Sequence, residues 1–278
     1  MAHRLRKDER RAQILDALRY TPHLRITSLA ERFAVTTETV RRDIDALSET
    51  GLVDRAHGGA VARPMAFQPS ISEREQATVE ERRRIAATAA QLVSAGQVVM
   101  IDAGSTTSQL AWHLNAVGER LRVITNSYPV ASALASANLR AIVCPGDFNG
   151  REGGVFGQDT SDFLSRFNGN IAFIGASGIA ADGISDVNRE AAWVKRTMLA
   201  RCERAYLLVD HSKFDTRLLE VVAPLDDLDG IVTDRAPQGP LARQLDKVGV
   251  AVHVADESPS TTDPAAAASL SRSRPDHG

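Results

Sequence analysis

Apolar positions recur along this chain at two periods. In TTETVRRDIDALSETG, residues 36–51, Val40, Ile44 and Leu47 fall at i, i+4 and i+7, the spacing of one helix face. Winding at 100° per residue puts Glu38, Arg42 and Glu49 opposite them, with Thr39, Arg41 and Asp45 on the flanks. Thr36 can cap the start through its hydroxyl, and Gly51 can stop the helix because it takes the left-handed conformation cheaply. Upstream, residues 8–20 predict a helix with Ile14, Leu15 and Leu18 on its apolar face, ended by Pro22. Residues 25–27 read as a connector or short strand edge. Thr27 is then expected to cap a helix over SLAERFAV, with Leu29, Ala30 and Phe33 inward. Ala34 and Val35 make a tight turn into the arginine-bearing helix, which is a helix-turn-helix pattern. Residues 52–61 read as two short strands around a Gly-Gly turn, a wing, with Arg55 and His57 at its tip.

Beyond the wing, Pro64, Pro69 and the polar run Ser70–Thr78 break the helical pattern, so residues 64–78 read as a linker. It is too short for a free tether, and the head (1–63) and body (79–255) are expected to be coupled. The body opens with a helix over Val79–Ala95, stopped at Gly96. Short apolar strands then follow at Val98–Ile101, Arg122–Thr125, Ala141–Cys144, Ile171–Ile174, Ala205–Val209, Gly230–Thr233 and Ala251–Val254. Helical stretches separate most of them, including Thr107–Leu114, Tyr128–Ala137, Glu190–Arg201 and Pro240–Lys247. Strands alternating with helices predict an α/β, Rossmann-like domain: a largely parallel sheet covered on both faces, with ligands at the carboxyl ends of its strands. Residues 256–278 are rich in Ser, Pro, Ala and charge and lack aromatics, the composition of a disordered tail.

Composition sharpens this picture only in places. The chain has 278 residues, 43% hydrophobic and 24% charged, a length suited to two domains. No apolar run approaches the ~20 residues that span a bilayer, and the charged N-terminus does not read as a secretory signal, so a cytoplasmic protein with no membrane partner is expected. Cys144 and Cys202 sit in apolar contexts and suit a reducing compartment; neither they nor the seven histidines have metal-ligand spacing. The net charge of −2 hides an asymmetry: residues 1–63 carry 12 Lys+Arg against 9 Asp+Glu, and the remainder 21 against 26. A basic head on an acidic body points weakly to nucleic acid held by the head.

Candidate chemistry lies in two places. On the 37–50 helix, adjacent arginines and small hydroxyls suit guanine edges and phosphates, although a solvated face with a Glu38–Arg42 i,i+4 ion pair would look the same. In the body, Asp102-Ala103-Gly104-Ser105-Thr106-Thr107 runs from a strand into a helix. It offers a close backbone approach, hydroxyls and free N–H groups, a phosphate cradle or a bare strand–loop–helix turn. It is neither a Walker loop nor GxGxxG, and no cofactor is implied. Gly175–Gly178 and Asp210–Lys213 follow other strands at the same edge. Lys213 is one of only four lysines, and stands either as an anion partner or as an exposed loop charge.

The run TTETVRRDIDALSETGLVDRAHGGAV resembles the signature of the DeoR family of bacterial transcriptional regulators, in Thr36, Thr39–Ile44, Leu47, Gly51 and the Arg55…His57-Gly58-Gly59-Ala60 wing. IDAGSTT, VITNS, GDFNGREGGVFG, FIGASGI and LLVDHSKF are similar to the sensor domain of that family, and the similarity extends to about Val254. The resemblance implies a winged helix-turn-helix on double-stranded operator DNA, with Thr36, Thr37, Glu38, Thr39, Arg41, Arg42, Arg55 and His57 at the interface. Asp43 is placed as an internal partner of an arginine or backbone N–H, because a carboxylate repels phosphate. It also implies a sensor resembling the phosphopentose isomerase fold that binds a phosphorylated sugar. Gly104, Ser105, Thr106 and Thr107 would hold the phosphate. Asp102, Asn126, Ser177, Gly178, Glu190 and Lys213 would line the sugar end, and Gly146 with Gly150–Gly157 would cover the site. Asp186 stands where the family more often has a smaller or hydroxyl residue. A repressor released by its effector, acting as a dimer or tetramer on repeated half-sites, is the function implied; the alternative is a phosphosugar isomerase-like enzyme with a DNA-binding head.

Overall fold

In the computed structural model, residues 6–20, 23–49, 53–56, 59–62, 68–114, 120–136 and 139–256 are described. The chain divides into two compact units, Met1–Pro69 and Ser70–Gly278. In the first, α1 (Lys7–Tyr20), β1 (His23–Arg25), α2 (Ile26–Phe33), α3 (Thr37–Glu49), β2 (Val53–Ala56) and β3 (Gly59–Ala62) follow one another. Ile14, Leu18, Leu29, Phe33, Val40, Ile44, Leu47 and Val53 pack into one core, so the 3.6-residue period becomes the buried face of each helix. α2 begins at Ile26, with Arg25 in the capping place, so Thr27 lies inside the first turn and is not the cap. The side chains of Ile26 and Leu24 pack against the core, which pulls the helix start back by a residue. Ala34, at φ 49° and ψ 44°, turns the chain between α2 and α3.

β2 and β3 form the wing, and β1 adds to it in the order β1-β3-β2. Gly59 is already in β3, paired with Arg25 and Ala56. A Cβ there would lie 2.1 Å from the Leu24 carbonyl, so glycine is needed for close strand approach and not for a turn.

One ion-pair cluster ties this unit together. Asp43 Oδ2 accepts from Arg10 Nε, and Asp43 Oδ1 accepts from Arg11 Nε at 3.2 Å. Asp43 is 2% exposed, so α3 faces α1 through a buried carboxylate, the internal role read for it above.

The second unit opens with α4 (Ile71–Gln76) and α5 (Val79–Ala90). Half of the expected linker is therefore structured within this unit: Ser70 and Glu73 form a capping box at the start of α4, and Ile71 is buried. α5 ends at Ala90, five residues before the expected stop, because Gln91, Leu92 and Val93 donate to carbonyls three residues back and tighten into a turn. There follow β4 (Val98–Ile101), α6 (Ser105–His113), β5 (Arg122–Thr125), α7 (Tyr128–Ser136), β6 (Arg140–Val143), β7 (Asp147–Asn149), β8 (Gly154–Phe156) and α8 (Gln158–Leu164). The remainder is β9 (Gly169–Ile174), β10 (Gly178–Ala180), β11 (Gly183–Asp186), α9 (Arg189–Arg201), β12 (Cys202–Leu208), β13 (Glu220–Ala223), β14 (Gly230–Thr233), α10 (Gly239–Val248) and β15 (Ala251–Val254).

Seven strands form one parallel sheet in the order β15-β14-β12-β9-β4-β5-β6. Side chains alternate between its faces. Val99, Ile101, Ile171, Phe173, Tyr206, Leu208 and Val232 pack with α5, α6 and α7, while Met100, Ala172, Ile174, Ala205, Leu207 and Ile231 pack on the other side with α8, α9 and α10. β10, β11 and β13 make a small antiparallel sheet, and β7 pairs with β8 as a hairpin within the segment expected to be loop. The strand order reverses at β4: β5 and β6 extend one way, and β9 lies on the other side. Such a switch point leaves a crevice at the carboxyl ends of β4 and β9. From 257 on, the expected tail lies outside the described residues.

Asp43→Ala removes a carboxylate that faces two arginines in a buried place. A cost of about 3 kcal/mol is expected, because a buried ion pair between α1 and α3 is broken. Denaturant unfolding of the full chain, followed at the first unit, should show that unit melting earlier; an unchanged midpoint would reduce the cluster to a surface pair.

Candidate functional site

The crevice between β4 and β9 holds three buried charges. Asp102 ends β4 and is fully buried; its backbone N–H donates to the Phe173 carbonyl of β9. Lys195, 3% exposed on α9, places Nζ 3.0 Å from Asp102 Oδ2 and 3.2 Å from Asp186 Oδ2. Asp186, at the end of β11, accepts on Oδ1 from the Ser177 hydroxyl at 2.9 Å and from the N–H groups of Val187 at 2.7 Å and Asn188 at 3.2 Å. Gly175 N–H donates to Asp102 Oδ2 at 3.3 Å. Among the described residues, Asp102 Oδ1 is buried without a hydrogen-bond partner.

Burial sets the protonation in this cluster. It pushes Asp102 up, and the attraction of Lys195 does not fully offset it. At Asp186 burial acts the same way but is outweighed by Lys195, the Asn188 N–H and the Ser177 hydroxyl, which hold the carboxyl below the ordinary range. Burial disfavours the charge on Lys195, yet Asp102 and Asp186 together raise it above the ordinary lysine value.

The adjoining loop has the geometry of an anion cradle. Gly104 precedes α6 in extended backbone and supplies no side-chain cap. Thr107 Oγ1 donates to the carbonyls of Asp102 and Gly104 at 2.7 and 2.9 Å, which fixes the loop from within. Ser105 and Thr106 are buried in the first turn, where backbone N–H groups have no helical acceptor. Asn126, fully buried after β5, accepts from Ala103 N–H and donates to the Val155 carbonyl, so it braces the loop against the β7–β8 hairpin. At Gly154 a Cβ would sit 2.7 Å from both Ala103 Cβ and the Asn126 carbonyl, so the hairpin passes over the loop at backbone distance.

The structure thus gathers Asp102, Gly104–Thr107, Asn126 and Ser177. The other expected residues have different surroundings. Gly178 begins β10, where a Cβ would be 2.5 Å from the Thr216 carbonyl, a packing reason for glycine. Glu190 is exposed, with its backbone N–H bonded to Asn188 Oδ1. Lys213 is half-buried in the turn after β12; its charge and that of Arg82 help hold buried Asp210 below the ordinary carboxylate range against burial. Lys195 was absent from the sequence reading. Its signal was legible: a lysine in register with Ala191, Ala192, Val194 and Met198 on the buried face of a helix, in a chain with four lysines.

In the first unit, α3 presents Thr36, Thr37, Glu38, Arg41 and Arg42 exposed and Thr39 half-buried. Thr36 Oγ1 accepts from Thr39 N–H at 3.2 Å, the cap expected. Glu38 lies 3.8 Å from Arg41 and 3.5 Å from Arg42. Such exposed pairs are worth no more than about 1 kcal/mol, so the guanidiniums can exchange partners. The side chain of Arg55 and all of His57 fall outside the described residues. Among the described residues, no helix is long and apolar enough to cross a membrane.

The family model for the DeoR-like helix-turn-helix domain matches residues 10–64, and that for the DeoR C terminal sensor domain matches residues 77–235. The glycerol-3-phosphate regulon repressor of Escherichia coli (strain K12) is 30% identical over 235 residues, covering 84% of this chain and 93% of that protein. The HTH-type transcriptional repressor GlcR of Bacillus subtilis (strain 168) is 31% identical over 254 residues, 90% of this chain and 97% of that one. Among solved structures, ribose 5-phosphate isomerase A from Methanocaldococcus jannaschii matches 50% of this chain and 55% of that one at 16% identity and a TM-score of 0.37, too distant to carry an argument.

Lys195→Met should destabilise the second unit by about 3–5 kcal/mol, since two carboxylates lose their shared cation. The folded pKa of Asp102, already raised, would then rise further and that of Asp186 would climb from its lowered position, so the folded state binds more protons than the parent does and loses less stability as pH falls. The deficit against the parent should therefore shrink from pH 8 to pH 5, measured by denaturant unfolding; a deficit independent of pH would contradict the charge assignment.

Proposed function

The chain belongs to the DeoR family of transcriptional regulators, and on that premise we propose that it is a repressor of a carbohydrate catabolic operon, governed by a phosphorylated sugar or related metabolite. The relatives' names support the class of gene, since they include repressors of a glycerol-3-phosphate regulon and, in another relative, of an aga operon. α3 is the element that enters the major groove. Arg41 and Arg42 act as base or phosphate contacts, Thr36, Thr37 and Thr39 as phosphate contacts, and Glu38 as the partner that yields. Arg55 and His57 extend the interface on the wing.

One observation carries the effector reading. Asp102 Oδ1 is a buried acceptor without a donor, beside a helix start without a cap. A buried unpaired carboxylate oxygen is costly, and a ligand hydroxyl relieves it. The neighbouring N–H groups of Ser105, Thr106 and Thr107 suit a phosphate. A molecule with a hydroxyl near a phosphate satisfies both. Asn126 and Ser177 hold the walls, while Gly178, Glu190 and Lys213 close the far end once the ligand is bound.

The charge pairing favours a sensor over an isomerase. Isomerisation requires a carboxylate base within hydrogen-bond reach of the substrate carbon. Asp186 and Oδ2 of Asp102 are paired with Lys195 and Glu190 is exposed, which leaves Asp102 Oδ1, on a carboxylate already bound to a cation, as the one acceptor facing a ligand. A homo-oligomer, dimer or tetramer, is part of this proposal, because one small head makes limited contact and paired heads read paired half-sites.

A thermal-shift panel of three- to six-carbon sugar phosphates, each beside its unphosphorylated sugar, tests the effector. At a hundredfold excess over Kd the matching phosphate should add about 2.7 kcal/mol of stability, and the bare sugar far less. No shift across the panel would remove the sensor assignment. For the head, Arg42→Ala should cost about 1–3 kcal/mol on a selected duplex and less on random DNA. An equal loss on both makes Arg42 a phosphate contact.

A further inference from the structure

Four buried or strained features converge on the segment where the second unit begins. Ser70 is its first residue. The N–H of Ile71 donates to the Arg151 carbonyl at 2.6 Å, and the Arg74 guanidinium lies 2.8 Å from Glu152 Oε2. Gly153, at φ +68°, faces Ile71, whose side chain would be 3.3 Å from a Cβ there. The next residue is Gly154, which passes over Ala103 and Asn126 of the crevice. This rung therefore runs from α4 through residues 151–154 to the cradle loop.

A second rung lies alongside. The Thr78 hydroxyl and Arg82 Nη2 both reach Asp210 Oδ2 at 3.4 Å, and Arg82 Nη1 also donates to the Arg74 carbonyl. Asp210 accepts from the N–H of Ser212 and heads the turn that carries Lys213. Two features set the ladder apart. Thr78, a β-branched residue, is held at φ 48° and ψ 41°, a conformation such residues rarely adopt. Among the described residues, Arg74 Nε and Arg82 Nε are buried without a hydrogen-bond partner. Buried donors are normally satisfied, so each guanidinium keeps a donor that a further acceptor could take.

We propose that Arg74 and Arg82 form a relay that converts occupation of the crevice into a shift of α4, the segment through which the chain passes to the DNA-binding unit. The inference rests on the effector reading above and deepens it by naming the coupling element. A ligand that draws in the 151–154 loop and the 210–213 turn moves both carboxylate partners at once. The arginines re-pair, Thr78 relaxes, and α4 moves with them. A ligand indifferent to the two pairings shifts nothing.

The relay acts on DNA binding even without a ligand, which separates its test from that of the effector. Full-length protein is used to select a duplex from a random pool. Affinity for that duplex is then measured, with no effector present, for the parent, Arg74→Met, Arg82→Met and Arg74→Lys. The two methionine variants should change affinity at least about fivefold, the lower end of ordinary coupling, in the same direction. Arg74→Lys should return towards the parent value. Hydrogen exchange over residues 70–78 should rise in both methionine variants while α9 stays protected. Affinity within twofold of the parent in the folded variants overturns the relay. So does Arg74→Lys behaving like Arg74→Met, which would mark a packing defect. If Arg82→Met fails to fold, Arg74→Met and its lysine counterpart decide alone. Absence of any thermal shift with sugar phosphates counts against the effector reading and leaves this measurement standing.

Discussion

Three charges sealed into the crevice between β4 and β9 constrain the rest of the second unit. Lys195 cannot leave its place without stranding Asp102 and Asp186 in a buried place. The pairing joins a strand end of the large sheet, the last residue of β11 and the middle of α9, elements far apart in sequence. Replacing such a buried network with apolar side chains often costs nothing or stabilises, so its presence is poorly explained by stability alone. It fixes the orientation of a carboxylate whose second oxygen, among the described residues, has no donor.

The first unit uses the same device for another end. Asp43 takes Arg10 and Arg11 on its two oxygens, and so positions α3 from behind. The side of α3 that faces solvent is left to Glu38, Arg41 and Arg42, whose pairs are exposed and weak. Buried pairing sits between the helices, and the pairs that face solvent are the weak ones.

Much of this was legible in the sequence because hydrophobic period maps directly onto burial. β4, β5, β14 and β15 stand where their apolar runs predict them, and the alternation within β4, β5 and β14 divides the two cores. The helix-turn-helix followed from Val40, Ile44 and Leu47, and the internal role of Asp43 from the cost of a carboxylate near phosphate. Other features escaped for physical reasons. α4 is a six-residue helix whose capping box, Ser70 and Glu73, lay within the polar run taken for a linker, and whose contacts with Arg151 and Glu152 come from a distant loop. β10, β11 and β13 pair only through tertiary contact, and β11 to β13 spans a long stretch of chain. Lys195 was passed over because a charged side chain reads as solvent-facing, and only its register with Ala191 and Met198 says otherwise. Thr27 was misread as a cap because a hydroxyl before a helical pattern is a good cap in isolation, while packing of Ile26 set the true start.

Gly154 has a consequence for how this protein can vary over time. Its missing side chain is the gap through which the hairpin meets Ala103 and Asn126, so any replacement disturbs the folded body and its crevice in one stroke. Substitutions there have no neutral path: variation must accumulate in the neighbouring wall, with this one backbone crossing left as a fixed pivot of descent.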